Sequence, residues 1–203
     1  MVAALAALLT GCGPAQPRFT STGKPAPPTV VQLEAQRDTL SKEVAQELKE
    51  NDRPVDAAEI ESIASGTRDF NLDKNSAISN LDQSRVMREV GKYMGVPYLL
   101  GGANGEGLDC SAYTMLVYKQ ALKKDLPRTS LDQSKIGSPV ELENLKFGDL
   151  VFFNTTGEPA SHVGIYLGDE LFAHASVLLG VTISSLQSSY YKTRYERARR
   201  ILE

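Results

Sequence analysis

The chain has 203 residues, 41% of them hydrophobic and 23% charged, with a formal net charge of −3. That supplies one domain with a real core plus appendages, and too little charge of one sign to recruit nucleic acid through a global field. No apolar run is long enough to span a bilayer. Two cysteines and two histidines, with no close ligand pair among them, argue against a zinc site, and no other cofactor is expected.

Residues 2–10 are apolar or small and run into Gly11-Cys12. A short apolar segment ending in small residues reads as a secretory signal, not as a fold element. Leu9-Thr10-Gly11-Cys12 resembles a bacterial lipobox, whose cysteine is acylated and becomes the new N-terminus. Residues 1–11 are then a signal peptide and Cys12 is the lipidation site. The membrane is held through acyl chains, each buried methylene contributing about 0.8 kcal/mol. Gly13 stands where Asp resembles an inner-membrane signal, so the outer membrane is the expected address, facing the periplasm or cell wall. The competing readings are a buried Cys12 or a Cys12–Cys110 disulfide in an oxidising compartment.

Residues 12–29 are rich in Pro, Gly, Ser and Thr, with Pro25, Pro27 and Pro28 close together. This composition predicts a lipid-anchored flexible tether. Residues 30–79 predict a helical spacer. Thr29 and Gln32 form a capping box, and Leu33, Leu40, Val44 and Leu48 follow at helical spacing in a narrow apolar stripe. Asp56 and Glu59 suggest a second short helix closed by Gly66. Residues 66–79 read as a loop.

Residues 80–203 have the texture of the main domain. Val86, Met87, Val90, Tyr93 and Met94 form a helical face, stopped by Gly95 and Pro97. After a turn, residues 110–124 read as a helix with Met115, Leu116, Ala121 and Leu122 apolar. Four strands follow: Leu150 to Phe153, His162 to Leu167, Leu171 to Ser176 and Val181 to Leu186. Arg194 to Leu202 reads as a last strand. Helices first and an antiparallel sheet second make an α+β fold.

Cys110 follows Asp109, a good N-cap, at the start of a predicted helix. The positive end of the helix favours ionisation, and the thiolate is the nucleophile. The alternative is a buried Cys110 acting as a small hydrophobe. Strand alternation places His162, Gly164 and Tyr166 on one face, and Phe172, His174 and Ser176 share a face on the next strand. A three-residue loop at Gly168-Asp169-Glu170 would pair Leu167 with Leu171 and put His174 opposite Gly164. Both imidazoles then point the same way. A two-residue loop would set them on opposite faces, and each would then be only a half-exposed strand residue. In the first register His162 takes the Cys110 proton, and His174 bonds its far nitrogen and fixes its tautomer.

Six strings, in order over roughly residues 85–202, carry a resemblance. They are Pro97-Tyr98-x-x-Gly101-Gly102, Leu108-Asp109-Cys110-Ser111, Leu126-Pro127-Arg128-Thr129-Ser130, Gly148-Asp149-Leu150-Val151-Phe152-Phe153, Ser161-His162-Val163-Gly164-Ile165-Tyr166 and His174-Ala175-Ser176. Together they resemble the NlpC family of cell-wall cysteine peptidases. The resemblance implies a papain-like fold, with N-terminal helices packed on a central antiparallel sheet. It implies a peptidoglycan substrate, cut at an amide of the stem peptide or cross-link such as γ-D-glutamyl–diaminopimelate or D-alanyl–diaminopimelate. Cys110 matches the nucleophile, His162 the base and His174 the third polar residue. Tyr98 matches a tyrosine near the nucleophile that helps hold the oxyanion, with the Cys110 N–H as second donor. Asp109 and Ser111 match positions that contact the amino end of the stem peptide; Asp109 is equally readable as a helix cap alone. Ala112 and Leu100 depart from the family's usual Gly and Trp. An acyltransferase or amidase on the same fold, and an inactive wall-binding lipoprotein, are the rival readings. The cluster Lys192, Arg194, Arg197, Arg199 and Arg200 reads as a solvated strand face, with anionic wall polymer as its alternative partner.

Overall fold

The computed structural model describes residues 30–65 and 79–202. The expected signal peptide, Cys12, the tether, Thr29 and Gly66 lie outside the described residues.

Three helices come first. Helix α1 spans Val30–Glu50. Helix α2, Ala57–Ala64, is capped by Asp56, whose carboxylate accepts from the Glu59 N–H. Helix α3, Asn80–Lys92, is capped by Ser79, which accepts from the Asp82 N–H. A short hairpin, β1 (Ala103–Asn104) and β2 (Gly107–Leu108), then leads into α4, Cys110–Leu122. Sequence reading carries α4 on to residue 124. It stops at Leu122 because Lys123 turns left-handed (φ 56°) and its N–H closes on the Tyr118 carbonyl.

After the short α5 (Ser130–Gln133) the sheet begins: β3 (Ser138–Val140), β4 (Leu150–Phe153), β5 (His162–Gly168), β6 (Leu171–Ser176) and β7 (Gly180–Ser185). The last two elements are α6 (Ser189–Arg194) and β8 (Tyr195–Arg200). The order across the sheet is β3-β8-β4-β5-β6-β7, antiparallel throughout. Pro139 sits in β3. That strand is at the sheet edge, where a missing N–H is tolerated. Sequence reading also misses α6, which Ser188 caps by accepting from the Tyr191 N–H.

Both faces of the sheet are covered. Phe152, Val163, Ile165, Ala173 and Ile183 pack with Val86 and Val90 of α3 and Tyr113 and Val117 of α4. On the other face Val151, Phe153 and Phe172 pack with Tyr190 and Tyr191 of α6. The odd and even residues of β5 and β6 divide between the faces as the period-2 pattern requires.

Helix α1 docks differently from its apolar stripe. Leu48 is 72% exposed, whereas Glu43 and Glu47 are buried and Leu40 and Val44 half-buried. The inward face is carboxylate-bearing because the surface it meets offers donors. Ser176 and Tyr191 bond Glu47, Arg194 pairs with Glu50 at 2.8 Å, and Ser189 donates its N–H and hydroxyl to Asp52 at 2.8 and 2.7 Å. Among the described residues no helix is long and apolar enough to cross a membrane.

Candidate active site

Cys110 is the first residue of α4, and the Asp109 cap fixes where the helix starts. One Asp109 oxygen accepts from the Ala112 N–H (2.8 Å), the Ser111 hydroxyl (2.9 Å) and Arg128; the other accepts from Arg128 (2.6 Å) and the Gly101 N–H (3.0 Å). The Ser111 hydroxyl also accepts from Arg128 at 2.9 Å. Asp109 and Ser111 are both buried. Arg128 is the partly exposed member of this cluster, so the two residues expected to contact substrate are themselves engaged within the protein.

The Cys110 thiol lies against the start of β5. Its sulfur is 4.0 Å from the Ser161 carbonyl oxygen, and the Val163 N–H also points to it. Only 5% of the residue is exposed. Burial pushes the thiol pKa up to about 12; the Asp109 and Glu43 charges add to this, and the Val163 and Ser111 N–H groups oppose it.

The histidines share a face, by a route that differs from the expected loop. Gly168 pairs with Leu171, so the β5–β6 loop has two residues, Asp169 and Glu170, with φ of 49° and 63°. These positive φ values are those of a primed hairpin turn. A two-residue loop alone would have separated the histidines. A bulge between Tyr166 and Gly168 adds one residue to β5, and from Tyr166↔Phe172 onward the register is the one needed. Gly164 faces His174: a Cβ there would come within 3.3 Å of the His174 Cβ and 2.6 Å of Phe172.

The two imidazoles meet directly, with His162 Nε2 2.8 Å from His174 Nδ1. Both rings are buried, at 3% and 0% exposure, among Phe153, Phe172 and Tyr191. Burial pulls the His162 pKa down to about 4, with Asp109 opposing, and it pulls His174 well below the usual range. Both shifts favour the neutral thiol and the neutral imidazole. A standing thiolate–imidazolium pair is disfavoured to the extent that the cost of desolvating both charges exceeds their mutual attraction.

Beyond His174 the chain of hydrogen bonds continues. His174 Nε2 is 2.9 Å from the Ser184 hydroxyl and 3.4 Å from the Tyr191 hydroxyl. Sequence reading did not single out Ser184 or Tyr191. Ser184 lies two positions from Thr182, which pairs with His174 across β6 and β7, so strand alternation was a usable signal for it. Tyr191 comes from α6, a helix with no sequence-level expectation.

Tyr98 is half-buried and bridged to Leu108, the last residue before the Asp109 cap. Burial, with the negative charges of Glu43 and Asp109 adding to it, keeps its proton on, so it is a donor. A cleft of about 340 Å³ runs between α1 and this site, with Leu40 and Glu43 on one side and Tyr98, Leu100, Ser161 and His162 on the other. Leu100, the departure from the usual Trp, is thus part of the cleft wall. Among the described residues no group of three His, Cys, Asp or Glu side chains is placed to hold a metal. The basic cluster is divided among separate partners: Arg194 with Glu50, Arg199 with the Ser134 carbonyl, Arg200 with Asp149, and Lys192 with Gln187.

Residues 95–200 match the NlpC/P60 family. The chain is 41% identical over 126 residues to the Escherichia coli K12 protein named murein DD-endopeptidase MepS/murein LD-carboxypeptidase, covering 62% of this chain and 66% of that one. It is 43% identical over 117 residues to the gamma-DL-glutamyl hydrolase of Bacillus subtilis 168, covering 57% of this chain and 28% of that one. The chain thus spans just under two thirds of the first relative and less of the second. Among solved structures, a lipoprotein-like NLP/P60 protein of Staphylococcus aureus Mu50 superimposes with a TM-score of 0.57 at 32% identity, over 64% of this chain and 45% of that one. With the match covering more than half of its length, and with helices on an antiparallel sheet, this chain belongs to the NlpC/P60 family.

Proposed function

We propose that the protein is a cysteine peptidase that hydrolyses an amide bond in the peptide part of peptidoglycan. The observation that carries this reading is the 2.8 Å contact between His162 and His174 near a thiol at a helix N-terminus, with His162 lining a cleft. His162 Nε2 is committed to His174, which leaves Nδ1 to take the thiol proton. As substrate arrives, Cys110 sulfur attacks the carbonyl carbon and its proton passes to His162. The oxyanion is held by the Cys110 N–H and the Tyr98 hydroxyl. The C–N bond then breaks, His162 protonates the leaving amine, and a thioester remains. Water attacks the thioester, giving one proton to His162, and breaking the C–S bond returns that proton to the thiol. Arg128, held by Asp109 and Ser111, is the charged group of that cluster left to meet a substrate carboxylate.

The relative named DD-endopeptidase favours the D-alanyl–diaminopimelate cross-link as the target, and the relative named gamma-DL-glutamyl hydrolase favours the γ-D-glutamyl bond. Digestion of purified peptidoglycan, followed by mass spectrometry of the new ends, separates these. Cross-link cleavage converts dimeric muropeptides to monomers. Cleavage within the stem leaves truncated peptides. Products carrying a new acyl acceptor in place of water would replace hydrolysis with acyl transfer.

The same reading includes an anchor: Cys12 carries the lipid and residues 13–29 let the domain reach the wall from the membrane. Its support is the lipobox-like Leu9-Thr10-Gly11-Cys12. Cys12→Ser is expected to move the protein from the membrane fraction to the soluble fraction and abolish palmitate labelling; retained labelling would refute it.

A further inference from the structure

Helix α1 lies outside the residues matched to the family, yet one of its side chains reaches the histidine chain. Glu47 is 1% exposed. Its Oε1 is 2.9 Å from the Ser176 hydroxyl and 2.7 Å from the Tyr191 hydroxyl. The proton positions follow from the surrounding donors. The Ser176 oxygen already accepts the Leu178 and Leu179 N–H groups, each at 3.1 Å, so its single proton is directed to Glu47. An ionised carboxylate only accepts, so Tyr191 also donates to Glu47. The Tyr191 oxygen then faces His174 Nε2 with lone pairs, and the Ser184 oxygen stands beside it. The Tyr191 lone pairs favour a proton on His174 Nε2, and the Ser184 oxygen can accept from it. With Nε2 protonated, neutral His174 has Nδ1 bare and accepts from His162 Nε2–H at 2.8 Å. That leaves His162 Nδ1 unprotonated, which is the form a base needs.

We infer that Glu47 is a positioning residue that, through Tyr191, sets the tautomers of His174 and His162 and so keeps His162 ready to receive the Cys110 proton. The inference rests on the cysteine-peptidase reading for its catalytic consequence, but not for its structural one. Helix α1 is on this account a part of the active site and not only a spacer. Glu47→Gln places an amide N–H₂ against Tyr191 while the amide oxygen stays with Ser176. The Tyr191 proton then turns to His174 Nε2, His174 carries its proton on Nδ1, and His162 becomes the Nδ1–H form, the wrong one for a base.

The chain has only two histidines, so long-range ¹H–¹⁵N correlation spectra of the full-length protein resolve both tautomers. The wild type is expected to show Nε2–H on both rings, and Glu47→Gln a shift of both towards Nδ1–H. Tyr191→Phe removes the link by a second route and should disturb the same resonances. Glu50→Gln, which loosens α1 at Arg194 without touching the histidine chain, should leave the tautomers as they are. With a cross-linked muropeptide dimer as substrate, kcat of Glu47→Gln should fall by at least about tenfold with KM little changed, and Glu47→Asp should recover part of it. Unchanged tautomers in a folded Glu47→Gln protein, or equal shifts in Glu50→Gln, would overturn the inference. A wild type with these tautomers but no muropeptide-releasing activity would instead overturn the function and leave the inference standing.

Discussion

Helices α4 and α1 both border the proposed catalytic groups, and they are held by opposite kinds of contact. Helix α4 buries Tyr113, Val117, Tyr118 and Ala121 against the sheet and α3. Helix α1 turns Glu43 and Glu47 inward and leaves Val31 and Leu48 exposed. Burial of apolar surface contributes about 25 cal/mol per Å² and asks little of geometry. A buried carboxylate stabilises only where donors meet it, and its desolvation offsets much of the gain. Burial raises the pKa values of Glu43 and Glu47, which is that desolvation seen in another quantity. One helix is therefore a permanent wall of the domain. The other is attached by a few directed bonds, three of which end on Ser176, Tyr191 and Arg194.

The two helices also pull on the thiol in opposite directions, which gives the larger of two tests of the comparison. The N-terminus of α4 favours thiolate, whereas burial favours thiol, with the charge of Asp109 and then that of Glu43 of α1 adding to it. If burial wins, Cys110 is mostly protonated well above neutrality, and the thiolate fraction rises tenfold per pH unit. Alkylation of Cys110 by iodoacetamide, followed by mass spectrometry of its peptide, should then speed up about a hundredfold over two pH units around pH 7.5. A rate flat over that range would mean that the helix end wins and a standing ion pair exists. A smaller effect separates the packing. Val117→Ala in α4 should cost about 2–3 kcal/mol in urea unfolding, while Leu48→Ala in α1 should stay within about 0.5 kcal/mol. Equal costs would contradict the division between the helices.

The same contrast explains what was legible in the sequence. The face of α3 was visible because Val86, Met87 and Val90 recur at helical spacing and pack where that spacing points. Alternation placed both histidines on one sheet face, and Gly164 stood out as the residue making room. Loop length alone could not settle the register, because the bulge at Leu167 restores what a two-residue loop would have shifted. Bulges depend on pairing across the strand, and one strand's sequence carries little sign of them. The inward face of helix α1 was not legible for a related reason. The partners of Glu47, Ser176 and Tyr191, lie more than a hundred residues away and are hydroxyls. Local periodicity says nothing about donors waiting elsewhere in the chain. Cys110, His162 and His174 stood out because the chain has so few thiols and imidazoles. Ser184, Tyr191 and Glu47, which extend that constellation, are of common residue types and become visible only in three dimensions.

The central claim is that Cys110 is the nucleophile of a peptidoglycan hydrolase. The most direct test is release of muropeptides from purified peptidoglycan by wild type and by Cys110→Ala, with equal folding checked by circular dichroism. The account predicts soluble muropeptides from the wild type and a loss of more than about a thousandfold in the variant. A Cys110→Ala protein that releases muropeptides at the wild-type rate would contradict it.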